Sequence, residues 1–133
     1  QFACPDKHVI HFAGDGGFKM TGSELFTVST YQLPVISVVF DNSCLGMVRQ
    51  LQYAFYPDRY SQVFIPSMDF VTYAKSFGIE GEFVDTQEGF EAAFDRALAE
   101  RRPYVIAVKI DVNDLVTPMI APGASLDQYI KLD

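Results

Sequence analysis

Asp15 stands inside a run of glycines, Gly14, Gly16 and Gly17, that follows a short apolar stretch, and Asn42 stands 27 positions further on, behind a second one. Glycines at such a place let backbone N–H groups approach a phosphate with no side chain between. A carboxylate there repels the same phosphate. The two features agree if a divalent cation lies between Asp15 and the phosphate, with the Asn42 carboxamide adding a neutral oxygen. A hard, oxygen-preferring ion such as Mg²⁺ suits this pair, and two protein side chains leave room for a backbone carbonyl, two diphosphate oxygens and a water. With no catalytic base beside it, such an ion anchors a ligand and does not generate a nucleophile.

Other uses of a glycine loop fail on residue type. Gly14-x-Gly16-x-x-Lys19 lacks the third glycine of the dinucleotide fingerprint, and nothing matches GxxxxGK[ST]. A phosphoacceptor receiver domain also sets an Asp at a strand end, and Lys109 could serve as its late lysine. Such a domain needs an early acidic pair, however, and Asp6 alone precedes Asp15, at the wrong end of the strand. His8 and His11 are three apart, so on a strand they face opposite sides and cannot share an ion. Cys4 and Cys44 have neither metal-site spacing nor the density of a secreted disulfide scaffold, which favours a reducing compartment.

The elements that must carry these residues follow from the hydropathy pattern. Residues 8–13 read as a strand buried on both faces. Thr21, Gly22, Ser23 and Glu24 form an S/T-x-x-E capping pattern, which predicts a helix over about 22–32, ended by Pro34. Residues 35–40 read as a second buried strand. Strand, helix and strand make one βαβ unit with a right-handed crossover. Asp15 and Asn42 then both emerge at the carboxyl edge of the sheet, where open α/β sheets bind ligands. Residues 44–55 read as a helix with Leu45, Val48, Leu51 and Gln52 on one face, and Gly46 in its first turn implies a close approach there. The aromatic-rich run 53–60 predicts an ordered but movable loop. A short helix over 69–77 is capped by Ser67 or Asp69 and closed by Gly78. A strand at 82–84 precedes the best-patterned helix, capped by Thr86, and Pro103 introduces a last strand at 104–110. The tail from Asp111 has no periodicity and is expected to wrap the surface. The alternation predicts an α/β fold with a doubly wound parallel sheet.

With 133 residues, 49% of them apolar, the chain has material for one core, so residues 1–133 are treated as a single domain. A net charge of −7 leaves no face for nucleic acid. The longest strongly apolar run is far below the roughly 20 residues of a membrane helix, so no membrane partner is expected. The first residues lack a charged region followed by an apolar one, and are not expected to form a signal peptide.

Gly14-Asp15-Gly16 followed by Asn42 resembles the thiamine-diphosphate signature GDG…N of enzymes that decarboxylate or ligate 2-oxo acids. The runs at 42–50 (NSCLGMVRQ), 66–78 and 116–125 (VTPMIAPGAS) are similar to the catalytic subunit of biosynthetic acetolactate (acetohydroxyacid) synthase, over nearly the whole chain. The resemblance implies the thiamine-diphosphate-binding fold, represented by its diphosphate-binding domain without that domain's beginning. It implies a transferase of branched-chain amino-acid biosynthesis, which decarboxylates pyruvate and joins it to a second 2-oxo acid. Mg²⁺ would be held by the side chains of Asp15 and Asn42 and by the main-chain carbonyl of Cys44. Thiamine diphosphate would lie against Gly14, Asp15, Gly16, Gly17, Asn42, Cys44, Leu45, Gly46 and Met47, with Met47 and Leu51 along the substrate channel.

No catalytic residue is expected among these positions, because the family takes the Glu that bonds the aminopyrimidine from the pyrimidine-binding domain of a partner chain. FAD belongs to a central domain outside this sequence. The expectation is therefore a C-terminal fragment of a larger catalytic chain, which alone binds Mg²⁺-diphosphate weakly and turns over nothing. The complete enzyme would be a homodimer or tetramer assembled through the missing domains, with a regulatory small subunit as a further candidate partner. It would be cytoplasmic in a bacterium or archaeon, or in an organelle of a eukaryote. Two alternatives stand: another thiamine-diphosphate 2-oxo-acid decarboxylase or oxidase, and a non-catalytic binding or assembly module of the same fold. One departure from the family bears on selectivity. Leu51 stands where a channel-lining Trp usually follows GMVRQ. The complete enzyme is predicted to bind channel-blocking herbicides weakly, and nanomolar inhibition in an activity assay contradicts this.

Overall fold

A computed structural model describes residues 1–56 and 59–130. In chain order the elements are β1 (Val9–Gly14), α1 (Asp15–Thr21), a 3-10 turn (Gly22–Glu24), α2 (Leu25–Thr30), β2 (Val35–Asp41), α3 (Gly46–Phe55), α4 (Phe70–Ser76), β3 (Glu80–Val84), α5 (Gln87–Glu100), β4 (Tyr104–Lys109), β5 (Met119–Ile120) and β6 (Tyr129–Ile130). Four strands form one parallel sheet in the order β1-β2-β4-β3. The two most continuous β-branched runs, β2 and β4, take the central places, as strands covered on both faces should. Ile36, Val38, Val39, Val105 and Ile106 are essentially removed from solvent.

Helices cover both faces, so the sheet is doubly wound. On one side Phe18 from α1, Leu25 from α2, and Phe70 and Ala74 from α4 close over Val39, Val105 and Ala107. On the other, Ala93 and Ala97 of α5 lie on Ile36, Val38, Tyr104 and Ile106. Each large apolar side chain so buried contributes about 1.5–3 kcal/mol. Local signals fix the helix ends. Asp69 caps α4 by accepting from the Thr72 N–H at 2.8 Å, and Gly78 closes it at φ +72°. Thr86 caps α5 by accepting from the Gly89 N–H at 3.1 Å. Arg96 of α5 then reaches Glu82 of β3 at 2.5 Å.

Four expectations are corrected. The first strand is not buried on both faces: β1 is an edge of the sheet, and Phe12 is 60% exposed. A strand with one neighbour keeps much of its surface in solvent, and apolar composition alone does not distinguish it from a central one. The first helix does not start at a capping box. It starts at Asp15, with Gly14 in extended conformation ahead of it, and Thr21 makes no capping bond. At Gly22 a side chain would meet the Tyr73 ring at 3.0 Å, and in this close packing the helix tightens into a 3-10 turn before α2.

The third correction concerns α3. Its most buried residue is Gln50, at 3% exposure, whereas Leu45 and Val48 are exposed. The reason lies in the tail. Gln50 Nε2 donates to the Val116 carbonyl at 2.7 Å and its Oε1 accepts from the Val116 N–H at 2.8 Å, a pairing that satisfies a buried amide. The tail accordingly has structure of its own beyond a surface wrap, with β5 and β6 paired antiparallel. Fourth, the movable loop expected over 53–60 begins later, since α3 runs through Phe55. Pro57 and Asp58 of that loop lie outside the described residues.

Gly81 of β3 offers a test of sheet packing, because a Cβ there would sit 2.6 Å from the Val105 carbonyl oxygen in β4. Gly81→Ala is expected to destabilise the fold by about 1–3 kcal/mol, seen as a lower urea midpoint at unchanged slope. An unchanged midpoint contradicts the tight β3–β4 approach.

Candidate functional site

The parallel register decides which side chains meet. Gly14 of β1 is level with Phe40 of β2, so the next residues along, Asp15 and Asp41, come out side by side at the carboxyl edge. Both are buried, Asp15 at 2% and Asp41 at 5% exposure. Asp15 Oδ1 accepts from the Gly16 N–H at 2.7 Å, while its Oδ2 is buried without a hydrogen-bond partner. Asp41 is provided for differently. Its Oδ1 accepts from the Ser43 N–H at 2.9 Å and from the Ser43 hydroxyl at 3.3 Å, and its Oδ2 accepts from the Ser67 hydroxyl at 2.6 Å.

These differences separate the two acids electrostatically. Burial pushes the Asp15 carboxyl above the usual carboxylate range, and the neighbouring Asp41 pushes it the same way, against the Gly16 N–H. Burial would raise Asp41 too, but the bonds from Ser67 and Ser43 outweigh it and hold Asp41 below that range. Two adjoining buried carboxylates disfavour each other's ionisation. A proton or a cation at Asp15 Oδ2 relieves that repulsion.

Beyond β2 the chain turns through Ser43 in the left-handed region, φ 56°. Within this turn Asn42 Oδ1 accepts from the Cys44 N–H at 3.1 Å, leaving the amide oxygen one further lone pair. A short antiparallel bridge against Phe64 uses the Leu45 N–H, 2.7 Å from the Val63 oxygen, and the Ser43 carbonyl, 2.9 Å from the Ile65 nitrogen. The Cys44 carbonyl takes no part in that bridge. The Cys44 side chain is buried, and burial pushes its thiol up, so it is a neutral core filler. Gly46 starts α3 where a side chain would crowd the Asn42 amide at 3.2 Å, which accounts for a glycine in a first turn.

Between the start of α1 and the start of α3 lies a cleft of about 250 Å³ lined by Gly14, Asp15, Gly16, Gly17, Cys44, Leu45, Gly46, Met47 and Val48. Eight of the sequence-derived positions therefore share one surface, and Val48 joins them. Asn42 and Leu51 lie outside this lining; Leu51 is one helical turn beyond Met47 on α3. Around Gly14 and Gly17 no atom lies where a side chain would point, so backbone faces open space. Gly16 is tighter, with Leu45 Cδ2 at 2.7 Å from its hypothetical Cβ. The oxygens that this lining offers, a carboxylate and main-chain carbonyls, are donors suited to a hard cation. Among the described residues no group of three or more His, Cys, Asp or Glu could hold a metal. Any ion here must draw on neutral oxygens and on its ligand. Neither Asp41 nor Ser67 was read from the sequence as a site residue, Ser67 only as a candidate helix cap; the level strand ends of a βαβ unit are the signal that points to Asp41.

Residues 1–108 match the family described as thiamine pyrophosphate enzyme, C-terminal TPP binding domain. The chain is 40% identical over 132 residues to the large subunit of acetolactate synthase isozyme 2 of Escherichia coli K12, covering 98% of this chain and 24% of that protein. It is 35% identical over 133 residues to the mitochondrial acetolactate synthase catalytic subunit of Saccharomyces cerevisiae, covering 100% and 19%. It thus spans about a fifth to a quarter of the curated relatives it matches. Among solved structures it resembles the thiamine diphosphate-dependent 4-hydroxybenzoylformate decarboxylase of Rhodococcus jostii RHA1, with TM-score 0.78 and 32% identity over 84% of this chain and 21% of that one.

The raised Asp15 gives a stability test in metal-free buffer. A group whose folded pKa lies above its unfolded value contributes stability at low pH that is lost as pH rises through the folded pKa. Asp41, held low, contributes stability above its unfolded pKa that is lost as pH falls. Asp15→Asn is therefore expected to stabilise the metal-free protein at pH 7, and Asp41→Asn to destabilise it. Thermal melting from below the ordinary carboxylate range up to pH 8 checks both signs.

Proposed function

The chain belongs to the thiamine pyrophosphate enzyme family, as a C-terminal TPP-binding domain, and from that membership we propose that residues 1–133 form the diphosphate- and Mg²⁺-binding domain of an acetolactate synthase catalytic subunit. The observation that carries this reading is the cleft itself, in which open glycine backbone stands beside a buried carboxylate oxygen that lacks a donor. Asp15, the second lone pair of Asn42 and the Cys44 carbonyl would hold Mg²⁺. The Gly14–Gly17 backbone would face the diphosphate, and Leu45, Gly46 and Met47 would lie along the cofactor. Thiamine diphosphate, once bound, supplies the carbon nucleophile for 2-oxo-acid chemistry.

What this chain's residues contribute is binding and orientation. In the cleft lining the ionisable side chains are Asp15, committed to the ion, and Cys44, neutral and buried. Neither is placed to serve as a general acid or base. The catalytic groups, the FAD site, the assembly into dimers or tetramers and the contact with a regulatory small subunit are assigned to protein outside residues 1–133. The proposed reaction is decarboxylation of pyruvate followed by carboligation to a second 2-oxo acid, with Met47 and Leu51 of α3 along the substrate path. Among the described residues no helix is long and apolar enough to cross a membrane. The proposed setting is the cytoplasm, or an organelle as in the mitochondrial relative.

The solved relative that is a decarboxylase favours a second reading, in which the complete enzyme releases its product without carboligation. Incubating the complete enzyme with pyruvate separates the two: acetolactate supports the synthase, and aldehyde with CO₂ supports the decarboxylase. The cofactor site is tested by calorimetry with thiamine diphosphate with and without Mg²⁺. Binding is expected to depend on Mg²⁺ and to lose that dependence in Asp15→Ala. Equal binding by both proteins, or none by the wild type, overturns the site.

A further inference from the structure

Asp41 and Asp15 adjoin but are unequally supplied with donors. Both Asp41 oxygens accept hydrogen bonds, Oδ1 from Ser43 and Oδ2 from the Ser67 hydroxyl at 2.6 Å, while Asp15 Oδ2 accepts none. Asp15 Oδ2 is therefore the buried oxygen of the pair that an ion reaches without competing with a donor.

Ser67 ends a segment that touches both halves of the site. Val63, fully buried, accepts from the Leu45 N–H, and the Ile65 N–H donates to the Ser43 carbonyl, which lays the segment along the 42–45 turn. The next residue, Pro66, accepts from the Lys19 ammonium at the far end of α1, the helix that Asp15 begins. The Ser67 hydroxyl then closes the path onto Asp41. Segment 63–67 so ties the last turn of α1 to the end of β2, and Ser67 is its last link.

We propose that Asp41, held by the Ser67 hydroxyl, is a positioning residue of the cation site, turned so that its oxygens stay off the ion and Asp15 Oδ2 is the carboxylate oxygen that meets it. The proposal rests on the reading of the cleft as a cation and diphosphate anchor. Without the Ser67 hydroxyl, Asp41 Oδ2 is free to swing toward the ion and add a ligand. Ca²⁺ accepts six to eight oxygens in flexible geometry, whereas Mg²⁺ and the similar Mn²⁺ favour a strict octahedron. Loss of the hydroxyl should thus alter which ion is preferred as well as how tightly it is held.

The test uses Mn²⁺ and Ca²⁺ as probes with the complete protein and thiamine diphosphate, reading free Mn²⁺ by electron paramagnetic resonance and Ca²⁺ by competition. Ser67→Ala is expected to weaken Mn²⁺ binding about tenfold, as loss of an outer hydrogen-bonding partner around a metal site commonly does. It should weaken Ca²⁺ binding less, and Ser67→Thr, which keeps the hydroxyl, should restore the wild-type preference. Ser67→Ala with wild-type Mn²⁺ affinity overturns the proposal while leaving the anchor reading intact. So does an equal loss for both ions accompanied by a lower melting temperature of the metal-free protein, which marks a purely structural role. Wild-type protein that binds neither ion overturns the anchor reading and this proposal together.

Discussion

Two carboxyl groups taken out of water at adjoining strand ends, with one oxygen lacking a donor, set the terms for this edge of the sheet. Burying a carboxylate costs several kcal/mol unless hydrogen bonds or an opposite charge offset it. The chain offsets most of that cost at Asp41 through Ser43 and Ser67, and leaves Asp15 incompletely satisfied. Such a residue persists only because the packing around it is strong. β2 and β4 supply that strength, since their side chains form the driest part of the core and their register holds the strand ends level. The rigid sheet thus maintains a local deficit that a cation can fill.

The remaining parts of the site answer to the same constraint. The turn through Ser43 takes a left-handed backbone angle and spends the Asn42 amide on its own Cys44 N–H, which brings α3 back over the start of α1. Gly46 is needed at that return because the Asn42 amide lies where a side chain would go. Segment 63–67 braces the turn from the far side. Gln50 ties α3 to the tail, so the helix bearing Met47 and Leu51 is fastened at a buried point away from the cleft.

Much of this was legible beforehand because it is local. The strands at 35–40 and 104–110, the caps at Asp69 and Thr86 and the stop at Gly78 are set by neighbouring residues, and all appear where pattern and capping rules place them. The grouping of Gly14 to Gly17 with Cys44 to Met47 was also legible, since a βαβ crossover brings consecutive strand ends to one edge. The errors share a different cause. The edge position of β1, the 3-10 turn at Gly22 and the burial of Gln50 each depend on a partner distant in sequence: the missing neighbour of a strand, the Tyr73 ring and the Val116 backbone.

The sequence by itself determined the fold class and the residue types at the carboxyl edge of the sheet, because hydropathy period, capping pairs and a spaced acid and amide are properties of short stretches. Tertiary structure alone decided that Asp41, not only Asn42, stands against Asp15. Strand register is a relation between two stretches, and a shift of one residue sends every side chain to the opposite face. It also decided which of two equal carboxylates is left with an open oxygen. That depends on where the Ser67 hydroxyl arrives, 26 positions along the chain from Asp41.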